Sequence, residues 1–311
     1  MGEIFKRVSL RDIAAALLDL AMPRRCVVCG RRLTLKERHL CLPCLADLPQ
    51  TYFWTLSRNP MADKFNARIQ EDLENDGAAA EPYAFASALF FYNSESPYRR
   101  IPWHLKYEGG VESGKFFARM LGDRLAASPQ FSDVDLVVPV PLHWTRRFRR
   151  GYNQAEVLAR AIADSFASRA AAGRPSDPGA STYGEALPPV CLRLLRRVRR
   201  TRTQIRVSVE GKSRNVRGAF ALSPSALRRL ETPLSCGHLP AGWTQKCLIL
   251  RAFTRRIAPK HPYPAGIKHI LLVDDTFTTG STLNACRQAL RQAFPPDVRI
   301  SVATLAYVRE S

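Results

Sequence analysis

The sequence predicts an α/β protein, a parallel sheet flanked by helices, with a small four-cysteine module in front of it. Two observations carry the sheet. Residues 134–140, apolar but for Asp135, and residues 270–273, apolar throughout, are bounded by polar or proline residues, as suits strands buried on both faces. From residue 83 onward, strand-like and helix-like patterns alternate, which argues for a parallel arrangement. A third observation carries the module: Cys26-x-x-Cys29 and Cys41-x-x-Cys44 stand eleven residues apart near the N-terminus.

Taken in order, residues 9–21 read as an amphipathic helix ended by Pro23. Its apolar centre is short and closely flanked by charge, so it suits neither a signal peptide nor a spanning helix. Two CxxC turns can place four thiolates tetrahedrally about 2.3 Å from a Zn²⁺. With four protein ligands such a site is closed and structural, which leaves His39 redundant. A module of residues 1–50 is too small for an apolar core of its own, so metal supplies its folding energy. The other four cysteines, Cys191, Cys236, Cys247 and Cys286, are scattered. That usage fits a reducing cytoplasm better than a disulfide framework.

Residues 51–82, with Asp72, Glu74, Asp76 and a Gly-Ala run, read as an acidic linker. The main domain then runs from residue 83 to 311. Within it, 86–92 reads as a strand, 97–107 as a short helix and 114–127 as a helix. The spacing continues with strand 134–140, helix 153–166, strand 216–222, strand 270–273, helix 281–294 and a closing strand at 299–307. Residues 170–189 and 223–266 lack a clean period and read as insertions.

Lysine and arginine number 47 against 27 acidic residues, a net charge of +20. Such an excess speaks of partners rather than fold. Nucleic acid, a phosphorylated small ligand and an anionic membrane surface all fit, as does a mere compositional preference for arginine. The 46% hydrophobic content supports a real core.

The strongest motif is residues 270–282, where an apolar strand meets Asp274 and Asp275 and then Thr278, Thr279, Gly280, Ser281 and Thr282. Amides and hydroxyls at the start of the following helix favour a phosphate. The two carboxylates, acceptors only when ionised, suit a neighbouring diol. Phosphate plus vicinal diol describes a ribose 5-phosphate. A second motif ends strand 134–140 in Pro141 and His143, then runs through Arg146, Arg150, Gly151, Asn153 and Gln154. Its arginines can hold pyrophosphate oxygens in bidentate fashion. A third, holding seven arginines between Arg193 and Arg206, includes Arg199, Thr201 and Gln204. The fourth, Leu105-Lys106-Tyr107-Glu108-Gly109, is weak alone.

The first motif resembles the phosphoribosyl-pyrophosphate loop of type I phosphoribosyltransferases, with Thr276 where an aliphatic residue is usual. The order of all four motifs, with the cysteine pairs before them, resembles the ComF family of competence proteins. That resemblance implies a type I phosphoribosyltransferase-like sheet behind an N-terminal four-cysteine zinc module. It further implies a transferase of the glycosyltransferase class that binds phosphoribosyl pyrophosphate with Mg²⁺ and acts in DNA uptake, its acceptor unnamed. Asp274 and Asp275 would hold the ribose hydroxyls at the reacting centre. Thr278 to Thr282 would cradle the 5-phosphate, and Arg146, Arg150, Asn153, Gln154, Arg199, Thr201 and Gln204 would contact the rest of the substrate. Two further readings stand beside this one: a nucleotide-salvage phosphoribosyltransferase, and a non-catalytic module that grips single-stranded DNA and works with DNA-uptake proteins.

Overall fold

The structure is a computed structural model that describes residues 23–93, 95–172, 190–199, 218–223 and 266–309. The helix expected over 9–21 lies outside them, as do Thr201, Gln204, Cys236, Cys247 and almost all of both expected insertions. Among the described residues no helix is long and apolar enough to cross a membrane.

Four strands form one parallel sheet: β1 (Ala86–Tyr92), β2 (Leu136–Pro139), β5 (His269–Phe277) and β6 (Arg299–Val308), in the order β1-β6-β5-β2. Two short strands, β3 (Leu195–Arg197) and β4 (Phe220–Leu222), pair antiparallel beside it. The strand expected to close the sheet, β6, lies inside it between β1 and β5, and eight of its ten residues are buried.

Alternation along the strands divides the core. Leu136, Val138, Ile270 and Leu272 face one layer, and Val137, Leu271 and Val273 face the other. The second face is covered by α4 (Val111–Ala126), through Phe117 and Leu121, and by α6 (Gln154–Ala172), through Leu158 and Ile162. The first is covered by α2 (Pro60–Asp76) and α7 (Ser281–Arg291). The remaining helices are short: α1 (Leu42–Ala46), α3 (Arg100–Tyr107) and α5 (Trp144–Arg150).

Helix α2 corrects the reading of residues 51–82 as a linker. Met61, Phe65 and Ile69 recur at i, i+4, i+8 and are essentially inaccessible, each contributing about 1.5–3 kcal/mol by burial. Asn59 caps the start by accepting from the Ala62 amide at 2.9 Å, and Gly77 ends the helix in a left-handed turn. Of the acidic residues that suggested a linker, Glu74 and Asp76 are exposed, but Asp72 is a clamp, joined by Glu81. Asp72 accepts from Asn284, Arg287 and Gln288 at 2.7–2.8 Å, and Glu81 pairs with Arg287 and with Arg291. The network fixes α7, the helix that follows the carboxylate motif, against α2.

The cysteine module is built into the second core layer. Val28, Leu40 and Leu48 belong to the same buried cluster as Phe90, Tyr98 and Ile101. Tyr98 donates to the Cys44 carbonyl at 3.1 Å, and Arg100 to the Val28 carbonyl at 3.2 Å.

Candidate functional site

Strand β5 outruns its neighbour. The β2 register ends with Pro139 opposite Val273, and the Val140 amide makes a last bond to the Val273 carbonyl at 2.9 Å. Beyond that point β2 turns away while β5 continues through Asp274 to Phe277. A cleft of about 750 Å³ opens between them, in the crevice outside the carboxyl ends of the strands where open α/β sheets bind ligands.

Asp274 and Asp275 form one wall of the cleft, with Thr282 from the first turn of α7. Opposite stand Arg146, Arg149, Arg150, Asn153 and Gln154, while Lys106 and Tyr107 come from the end of α3 and Arg197 from β3. Asn153 is buried and donates to the Val140 carbonyl at 3.1 Å, tying the start of α6 to the diverging strand end. Gln154 is 3% exposed and accepts from Arg150 at 2.9 Å. Its Nε2 is buried with no hydrogen-bond partner among the described residues. A buried donor left so is costly and marks a position for a ligand acceptor.

The two carboxylates are electrically unequal. Lys106 Nζ stands 3.0 Å from Asp275 Oδ1. Burial alone would lower the Lys106 ammonium, but Asp275 and then Asp274 hold it above its ordinary value. Asp274 accepts the Asp275 amide at 2.8 Å. Burial first, and the neighbouring Asp275 second, push its carboxyl up to about 7. Burial and the like charge of Arg146 hold the Arg197 guanidinium below its usual range. Five cations against two carboxylates give the cleft an excess of positive charge, suited to an anionic ligand that also offers hydroxyls.

The loop after the carboxylates differs in part from expectation. Thr282 lines the cleft, but Thr278 is exposed elsewhere. Thr279 and Ser281 are buried with their hydroxyls 2.8 Å apart, and Arg68 donates to the Thr279 carbonyl. These residues shape the turn rather than line the cavity. Gly280 sits at φ 73°, and a Cβ there would meet Phe277 Cζ at 2.8 Å, so this position needs glycine twice over. Arg199 is exposed and does not line the cleft; Arg197, two residues earlier, does. Lys106 and Tyr107, from the fourth motif, and Arg149, from the basic run of the second, line it as well, although no role was assigned to them from sequence. The Leu105–Gly109 motif is weak in sequence because Asp275, the partner of its Lys106, lies 169 positions away.

The expected ligand set of the module comes together. The sulfurs of Cys26, Cys29, Cys41 and Cys44 all lie within 4.8 Å of one another, and Cys29 and Cys41 are 3.6 Å apart. Four thiolates tetrahedral about zinc stand about 3.8 Å apart, from a Zn–S distance of about 2.3 Å. Burial opposes ionisation of Cys26, but the amides of Cys29, Cys41 and Val28 outweigh it and lower the thiol to about 7. The cluster is compatible with a zinc site.

No protein-family model matches the chain. Over 166 residues it is 25% identical to Competence protein F of Haemophilus influenzae, covering 53% of this chain and 48% of that protein. The similarity supports a ComF-like family. The chain spans about half the length of the curated relative it matches.

Proposed function

We propose that the cleft binds a 5-phosphoribosyl group, as phosphoribosyl pyrophosphate or a close relative, and that the protein acts in competence. The observation that carries this reading is the pairing, across one cleft, of two strand-end carboxylates with five cations. In it, Asp275 and Asp274 accept the ribose hydroxyls. Thr282 and the α7 amides meet the 5-phosphate, where the helix N-terminus favours negative charge. Arg146, Arg149, Arg150 and Arg197 face the pyrophosphate, which Mg²⁺ accompanies. Cations placed where pyrophosphate gains charge as it departs lower the barrier to transfer. The competence role rests on the name of the Haemophilus relative.

Titration calorimetry with phosphoribosyl pyrophosphate and Mg²⁺ tests the binding. Asp275→Asn should weaken it by about 1.5–3 kcal/mol, the worth of a charge-assisted hydrogen bond. No heat with the unaltered protein would reject the reading. Deleting the gene should abolish transformation rather than create a nucleotide requirement; the opposite result would favour nucleotide salvage.

A second reading, direct contact with single-stranded DNA, has its own observation. On α5, Trp144 and Phe148 are 72% and 88% exposed among four arginines. Stacking surfaces set among phosphate-pairing cations are what a single strand requires.

A further inference from the structure

Behind the cleft lies a second concavity. A groove of about 300 Å³ runs between α4 and α6, lined by Lys115 and Arg119 on one side and Arg160 on the other. Arg147 of α5 closes one end. Glu156 and Asp164 also line it, so four cations meet two carboxylates. Glu156 stands 3.6 Å from Arg147 and 3.3 Å from Arg160, and Lys115 pairs with Glu112 at 2.6 Å. The side chains of Arg147 and Arg160 nonetheless remain more than half exposed, within reach of a further anion.

Two features relate this groove to the first cleft. Tyr152 and Asn153 line both, so the turn after α5 is a shared wall. The arginines of α5 divide between the two: Arg146, Arg149 and Arg150 serve the cleft and Arg147 the groove. Trp144 and Phe148 are four apart and share one stripe of α5, with Arg147 between them in sequence.

We propose that a single strand of nucleic acid lies along this groove, its phosphates on Lys115, Arg119, Arg147 and Arg160 and its bases stacked on Trp144 and Phe148. The cleft remains open to its own ligand, so both bind at once. The proposal rests on the DNA-contact reading and locates it. A strand fits where a lipid surface does not, because the cations line a concavity between helices that a bilayer cannot enter.

The experiment measures anisotropy of a labelled oligothymidylate across a salt series. Lys115→Gln, Arg119→Gln and Arg160→Gln combined should flatten the log K against log salt slope by about two and weaken binding about a hundredfold near 0.1 M salt. Phe148→Ala should weaken it about tenfold, the loss of one stacked base. Phosphoribosyl pyrophosphate should bind the triple variant as before, which also reports that it is folded, and should not displace the oligonucleotide from the unaltered protein. An unchanged slope in the triple variant, or displacement by the small ligand, overturns the groove while DNA contact itself stands. No binding by the unaltered protein, or binding only to anionic phospholipid vesicles, overturns both.

Discussion

Lys106 Nζ lies 3.0 Å from Asp275 Oδ1, joining the last turn of α3 to the end of β5 across the mouth of the cleft. The ammonium offsets one of two adjacent carboxylates, and the other then carries the cost of confinement. Lys106→Met removes that offset. The Asp274 carboxyl should then titrate above its present value of about 7, read by carboxyl-carbon NMR across a pH series. A midpoint that stays put would show that the two carboxylates do not share the lysine charge.

Asp274 itself sets a stability trade. Its carboxyl ionises near 7 when folded and at about 3.9 when unfolded. Between those values the folded chain holds more protons, so stability falls as pH rises through the window. Asp274→Asn should abolish that slope and stabilise the protein above pH 7 by on the order of 2–4 kcal/mol, while weakening ligand binding. Urea unfolding at pH 5 and pH 8 measures it; a variant no more stable at pH 8 than the parent contradicts the assignment.

The clamp between α2 and α7 should be costly to break. Arg287 is 2% exposed and serves both Asp72 and Glu81. Arg287→Met leaves two confined acids without their shared cation, a loss of about 3–5 kcal/mol by urea denaturation. A loss under about 1 kcal/mol would place the network among exposed ion pairs of little worth.

Purified protein should hold about one zinc per chain through Cys26, Cys29, Cys41 and Cys44. Emission spectroscopy gives the stoichiometry, and strong chelation should lower the melting temperature together with metal content. Zinc far below one per chain, with no change on chelation, would leave the four thiols merely adjacent.

What was legible in the sequence was what is local. The apolar runs of β2 and β5, the CxxC pairs and the carboxylate motif each declare themselves within a dozen residues. Helix α2 was hidden because its acidic residues match the composition of a solvated tether, and only α7, more than 200 positions on, shows what Asp72 serves. The cleft was legible in the same uneven way. Asp274, Asp275, Arg146 and Gln154 stand in dense motifs, whereas Lys106 acquires meaning only from the strand it reaches. Thr279 and Ser281 carry the right chemistry for a phosphate, but the buried turn uses their hydroxyls on each other.

The docking of the cysteine module has a practical consequence. Tyr98 and Arg100 tether the beginning of α3 to the carbonyls of Cys44 and Val28, and seven residues later the same helix presents Tyr107 to the cleft. At about 1.5 Å per residue, the helix is a lever roughly 12 Å long. Cutting the chain at residue 50 would strip the cover from Phe90, Tyr98 and Ile101 and leave that lever without its fulcrum. The two halves are therefore not severable, and a fragment that begins after the module would be a poor stand-in for the whole protein.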